Sequence, residues 1–112
     1  MVVRTQQIAA FNPVMKAGYQ QRMIAHLRSR FPSRLGNTSD DRLIAVIDAG
    51  TNNAKGYGIT LEYDLRRYLE YVVQYGPDFD KLDWAWPTLL PPGDGTEKMD
   101  NLDGMTTFVV RS

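Results

Sequence analysis

Three stretches of the sequence repeat apolar residues at the spacing of an α-helix, and this pattern limits the chain to a mainly helical fold. The first stretch follows Asn12, and Pro13 suits the first helical position because its missing N–H is not needed there. The apolar residues of this stretch recur about every four positions: Met15, Tyr19, Met23, Leu27 and Phe31. Because a proline disfavours helical backbone in the residue before it, Pro32 predicts that this helix ends near Arg30.

The second and third stretches carry their own start and stop signals. Thr38 or Ser39 supplies a capping hydroxyl ahead of two aspartates, and Gly58 suits a left-handed C-terminal stop. Thr60 is the expected cap of the third stretch, which Gly76 ends. The two stripes consist of Leu43, Ile44, Ile47, Ala54 and Tyr57, and of Leu61, Leu65, Tyr68, Leu69 and Val72. The sequence therefore predicts an all-α fold, a small bundle of three main helices.

Beyond Pro77 the apolar residues lose this helical spacing. We expect one short helical turn near Asp78, followed by an extended apolar segment up to Leu90 that packs over the bundle. Residues 91–112 are rich in glycine and acid, and their Thr-Thr-Phe-Val-Val run has strand propensity but no evident pairing partner. We therefore expect a single helical domain over residues 1–112, in which 91–112 form an extended tail that is flexible or docks on a partner.

The composition excludes several classes of protein. With 43% hydrophobic and 23% charged residues, the 112-residue chain has ordinary globular composition and can bury a core of its own. It contains no cysteine, which excludes disulfides, thiolate nucleophiles and sulfur-ligated metals. No apolar run is as long as a membrane span, which needs about 18 residues. The first residues also lack the pattern of a secretory signal. We therefore expect a cytoplasmic protein with no membrane partner.

The sequence shows no catalytic, cofactor-binding or metal-ligating pattern. His26 is the only histidine, and no local pattern provides it with a second ligand or an orienting group. Asp78, Asp80 and Asp83 alternate as in a calcium loop, but the glycine and terminal glutamate of such a loop are missing. We therefore expect no catalytic residue, no metal and no cofactor, and the chain is predicted not to be an enzyme.

Charge is distributed unevenly along the chain although the net charge is zero. Residues 1–39 contain six basic residues and no acid, whereas 78–103 contain seven acids and two lysines. Two interpretations follow: the two regions neutralise each other within the fold or across a dimer, or the basic region forms a surface for an acidic partner.

Aromatic residues are more numerous than one small core requires. Tyrosine, tryptophan and arginine are the residue types that anchor protein interfaces, and charged residues surround such anchors. The predicted partner-binding residues are Tyr63, Tyr71, Trp84 and Trp86, with Arg28, Arg30, Asp78 and Asp80 at the rim. Taken singly, Trp84 could instead cap the bundle while Trp86 lies half exposed. Together they predict a non-catalytic protein–protein interaction module.

Two alternatives stay open. The basic residues around the end of the first helix could bind nucleic acid, although the loop that follows is too long for a helix-turn-helix. A homodimer with a structural role is the other alternative.

Residues 43–90 also carry a resemblance. Its features are Ala54, Tyr57-Gly58-Ile59, Glu62, Asp64, Tyr68, Gly76, Phe79-Asp80 and Trp84-Ala85. In these positions the chain resembles small helical accessory proteins of bacterial secreted-toxin and type VI secretion gene neighbourhoods. The resemblance implies a cytoplasmic adaptor or chaperone for a secreted effector, or an immunity protein that blocks a toxin, and it implies no active-site residue.

Overall fold

A computed structural model describes residues 13–109 of the chain, and all its regular elements are helices. The α-helices are α1 Pro13–Arg30, α2 Pro32–Leu35, α3 Asp40–Gly56, α4 Glu62–Tyr75, α5 Trp86–Leu89 and α6 Gly95–Val109, and a 3-10 helix spans Phe79–Lys81. No strand occurs between residues 13 and 109, so the all-α prediction is confirmed. Four of these helices are long, one more than the sequence predicted.

The three predicted helices begin and end close to their signals. The Ser39 hydroxyl caps α3 by accepting a hydrogen bond of 3.2 Å from the Arg42 N–H. Gly58 and Gly76 both adopt positive φ, at 82° and 102°, which is the conformation that lets a glycine end a helix. The prediction of Thr60 as the cap of α4 is wrong, because Leu61 occupies that position and makes no side-chain cap. The predicted cap Asn12 lies outside the described residues.

One hydrophobic core joins the long helices. Leu27 of α1, Ile47 of α3 and Leu69 of α4 have no exposed surface. Gly50 of α3 lies directly against α4, since a Cβ there would come within 2.6 Å of a Leu69 methyl carbon. The absence of a side chain at this position therefore sets how closely α3 and α4 approach.

The predicted extended tail is wrong for residues 95–109, which form α6. The Asp94 carboxylate caps this helix by accepting a hydrogen bond of 3.0 Å from the Glu97 N–H. Met99 and Leu102 are fully buried, and the Lys98 ammonium donates to the carbonyl oxygens of Tyr57 and Leu89, each at 2.8 Å. These contacts with distant residues override the strand propensity of the Thr-Thr-Phe-Val run. The last three residues lie outside the described part.

A charged cluster holds α6 on α4. The Arg67 guanidinium donates to Asp64 at 3.0 Å, to Asp100 at 2.7 Å and to Asp103 at 2.7 Å. Burial disfavours the charged guanidinium, but the hydrogen bonds to Asp103 and Asp100 outweigh it and raise the pKa of Arg67. The Asp64 carboxylate also accepts from the Thr96 hydroxyl at 2.5 Å. Arg67 therefore remains charged and ties two helices together.

The connection from α4 to α6 is more helical than expected. The 3-10 helix fits the predicted short turn. The predicted extended segment up to Leu90 is wrong, since it contains α5. Phe79, Ala85 and Leu89 anchor this connection because all three are fully buried.

Candidate protein-binding face

Two of the four aromatic residues predicted to bind a partner belong to an aromatic cluster formed by Tyr71, Tyr75, Phe79 and Trp84. The ring centroids of Tyr71 and Phe79 lie 5.3 Å apart, and those of Tyr75 and Trp84 lie 5.2 Å apart. Tyr71 is buried, and its hydroxyl donates to Asp103 at 2.5 Å. Its predicted place on the binding surface is therefore wrong. Trp84 is half-buried against the core, as the alternative for that residue predicted.

Asp80 also lies inside the protein, so its predicted place at the rim is wrong. Its side chain is 1% exposed and accepts hydrogen bonds from the Tyr57 hydroxyl at 2.6 Å and from the Lys81 ammonium at 3.0 Å. Burial alone would raise the pKa of Asp80, but the hydrogen bonds from Tyr57 and Lys81 outweigh it and lower this pKa. Asp80 is thus an ionised acceptor that fixes the 3-10 helix to the C-terminal end of α3.

The two predicted arginines are engaged within the fold. The Arg28 guanidinium donates to the carbonyl oxygens of Leu35 at 3.0 Å and Thr38 at 2.8 Å, and to the Asp40 carboxylate at 2.6 Å. Arg30 is exposed and lies 3.6 Å from the Glu70 carboxylate. Arg28 therefore stabilises the connection between α1 and α3, while Arg30 keeps an accessible side chain.

Trp86 forms the centre of an exposed apolar surface, which we call the Trp86 ridge and which consists of Leu82, Trp86 and Leu90. These side chains are 37%, 40% and 54% exposed. The Trp86 N–H donates to the Leu82 carbonyl at 2.9 Å, and the Leu90 N–H donates to the Trp86 carbonyl at 3.1 Å. The ridge residues therefore follow one another at four-residue, helix-like spacing. The Lys81 ammonium lies 5.6 Å from the centroid of the Trp86 ring.

The remaining predicted residues are both exposed. Tyr63 is 62% exposed in the first turn of α4, where the guanidinium carbons of Arg66 and Arg67 lie 5.5 Å and 5.4 Å from its ring centroid. Asp78 is exposed and forms no salt bridge within residues 13–109. The structure thus does not gather the eight predicted residues into one surface. Of the eight, only Trp86 belongs to the ridge.

Beside the ridge lies an open apolar recess of about 890 Å³, which we call the α3–α4 groove. Its apolar lining includes Leu43, Ala45, Val46, Ala49, Val72 and Val73. Arg42 lies at the beginning of α3 and Asn53 near its end, so the groove extends about 16 Å along this helix. Arg34 also lines the groove, and the 77–81 segment supplies Pro77, Asp78, Asp80 and Lys81.

Sequence reasoning missed this groove. Ala45 and Ala49 lie one turn apart and are exposed on α3, whose opposite face is buried through Ile47 and Ala54. A second apolar stripe on a helix that already has a buried stripe is the signal that could have identified it. The other wall could not have been predicted, because it comes from the end of α4 and the 77–81 segment.

Other site types find no support within the described residues. No three His, Asp or Glu side chains between residues 13 and 109 are grouped so that they could hold a metal ion. Over the same range, no helix combines the length and the hydropathy that a membrane crossing requires.

Comparison with protein-family models, with curated proteins and with solved structures finds no match for this chain.

Proposed function

We propose that this chain is a non-catalytic binding module that recognises another protein through the Trp86 ridge. The exposure of Leu82, Trp86 and Leu90 at four-residue spacing is the observation that supports it. Large apolar side chains exposed together mark interaction surfaces, and tryptophan is among the residues that contribute most to binding when a partner buries it.

The segment that carries the ridge has core anchors of its own. The 79–90 segment already anchors itself to the core through Phe79, Ala85 and Leu89, which are fully buried. Trp86 and Leu90 lie between and after these anchors but point outward. Their apolar surface is therefore available for a second protein that offers an apolar pocket.

The ion pairs of α1 argue against nucleic acid as the partner. Four basic residues of α1 pair with carboxylates: Lys16 with Asp48 at 3.9 Å, Arg22 with Glu62 at 2.8 Å, Arg28 with Asp40 at 2.6 Å and Arg30 with Glu70 at 3.6 Å. These pairs reduce the positive charge that α1 could offer to phosphates.

A bacterial secreted effector or toxin is the partner class that we propose. The resemblance of residues 43–90 to accessory proteins of secretion gene neighbourhoods supports this narrower proposal. The chain would then act in the cytoplasm as an adaptor or chaperone for the effector, or as an immunity-type partner of the toxin.

The experiment compares two tryptophans that lie two positions apart. The tagged full chain and its Trp86→Ala and Trp84→Ala variants are used to capture proteins from the host cell, and a stoichiometric partner is identified by mass spectrometry. Truncating Trp86 should weaken the affinity for the partner by at least about 30-fold, which corresponds to about 2 kcal/mol of binding free energy. It should leave the helical content unchanged. Truncating Trp84 should instead reduce stability by about 2 to 4 kcal/mol, because its ring packs in the aromatic cluster.

Capture of a protein supports the proposal only if it depends on Trp86. A partner retained equally by the Trp86→Ala variant would refute the ridge as the binding surface. Tyr63→Ala serves as a further control, because Tyr63 is an exposed aromatic on α4 rather than on the ridge.

A further inference from the structure

We infer that the Trp86 ridge of one copy of the chain lies in the α3–α4 groove of a second copy, so that two copies form a symmetric dimer. This inference rests on the proposed function, since it takes the ridge as the binding surface, and it names the occupant that covers it when no other protein is bound. Three observations support it: the positions of the two surfaces, their dimensions and their charges.

The ridge and the groove adjoin each other on the molecule. Lys81 lines the groove and also lies over the Trp86 ring, at 5.6 Å from its centroid. The exposed apolar surface of the ridge therefore begins at the edge of the groove. A symmetric dimer requires one patch that is complementary to itself, and a patch with an exposed tryptophan beside a recess can meet that requirement.

The dimensions and chemistry of the two surfaces agree. From Leu82 to Leu90 the ridge spans about 12 Å at helical rise, and the groove extends about 16 Å along α3. The lining of the groove between its charged ends is mainly alanine, valine and leucine. Small side chains at Ala45 and Ala49 leave room for a bulky ring such as that of Trp86.

Opposite charges flank the two surfaces, with arginines at one end of the groove and Glu97 near the Leu90 end of the ridge. Arg34 and Arg42 line the groove, and neither forms a salt bridge with another residue in the described range 13–109. In the inferred dimer the two-fold axis lies near the shared 77–81 segment, and the Leu90 end of each ridge meets the Arg42 end of the other copy's groove. Glu97 supplies a negative charge at that end.

The position of Glu97 follows from its neighbour. The Lys98 ammonium reaches the Leu89 carbonyl at 2.8 Å, which places the first turn of α6 beside the end of α5. Glu97 is exposed and forms no salt bridge within 13–109. In the dimer the carboxylate of Glu97 therefore compensates the guanidinium of Arg42. A second copy and a different partner protein would compete for the same ridge.

The test begins with the mass of the purified full chain in solution, measured by sedimentation velocity and light scattering over a range of concentrations. We expect twice the monomer mass at high concentration. Ala49→Arg should give a monomer because it fills the groove, and Trp86→Ala should give a monomer because it truncates the ridge. Ala25→Arg, at an exposed position of α1, should leave the dimer intact. Circular dichroism verifies that each variant keeps its helical content.

Two further variants test the geometry. Arg42→Glu should weaken dimerisation by about tenfold or more, and adding Glu97→Arg to the same chain should restore it. Mixing the Ala49→Arg chain with the Trp86→Ala chain should produce association, because one intact ridge then meets one intact groove.

A monomeric wild-type chain at all concentrations would overturn the inference, and so would a dimer that either Ala49→Arg or Trp86→Ala leaves unchanged. Neither result affects the proposed function, which is decided by Trp86-dependent capture of a different protein. If the wild-type chain is monomeric and capture is also independent of Trp86, both proposals fail.

Discussion

Two glycines of α6 give a sharp test of how this helix docks. A Cβ atom at Gly95 would come within 2.7 Å of the Gly58 carbonyl oxygen and 2.9 Å of the Ile59 Cα atom. Both neighbours are backbone atoms, so neither can rotate away, and Gly58 is itself held at a positive φ of 82°. A Cβ at Gly104 would meet nothing within 4 Å.

The same substitution should therefore have opposite effects at the two positions. Gly95→Ala forces α6 away from the connection between α3 and α4, and overpacking of this kind costs about 1 to 3 kcal/mol. Gly104→Ala replaces an exposed helical glycine and should stabilise the protein by up to about 1 kcal/mol. The two variants should differ by about 1 to 4 kcal/mol in the free energy of unfolding.

Urea denaturation followed by circular dichroism measures this difference, and thermal unfolding provides a second measurement. In a chain of this size, each kcal/mol shifts the melting temperature by about 4 to 8 °C. Equal stabilities for the two variants would refute the close contact of Gly95 with Gly58 and Ile59, and with it the described position of α6.

Two further predictions concern buried charged groups. Lys98→Met removes the ammonium that donates to the Tyr57 and Leu89 carbonyl oxygens, in one partly buried and one buried hydrogen bond. This loss should reduce the free energy of unfolding, measured in urea, by about 2 to 6 kcal/mol; a neutral effect would show that water replaces the ammonium. The pKa of Asp80 is lower in the folded state than the ordinary aspartate pKa of 3.8. The ionised carboxylate therefore contributes its full stabilisation above pH 3.8, and this contribution is lost as the pH falls through the lower pKa of the folded state. The wild-type chain should therefore lose more stability on acidification than Asp80→Asn in urea unfolding at a series of pH values, and parallel pH profiles would contradict this.

The helices that could be predicted from the sequence are those whose signals are local. The stripe from Tyr19 to Leu27 lies within α1, and Gly58 and Gly76 end their helices through their own backbone conformation. Each of these signals acts within a few residues of the position that it determines. The three main helices were therefore predictable without knowledge of the fold.

Helix α6 and the exposure of single aromatic residues were not predictable in this way. α6 depends on contacts such as that of Lys98 with Tyr57, which lies 41 positions earlier in the chain. Tyr71 and Tyr63 both lie on α4 and look alike in sequence, but only Tyr71 is covered by Phe79 and Trp84. Burial of a given aromatic residue depends on segments that pack over it, and the sequence alone does not specify that packing.

The two surfaces of the proposed dimer share one unusual property. On α3, Ile47 and Ala54 are buried while Ala45 and Ala49 remain exposed. On the 79–90 segment, Leu89 is buried while Trp86 remains exposed. Each element thus has one apolar face that attaches it to the core and a second apolar face that folding does not use. The 77–81 segment joins these two outer faces, so in the inferred dimer a second copy buries both of them at once.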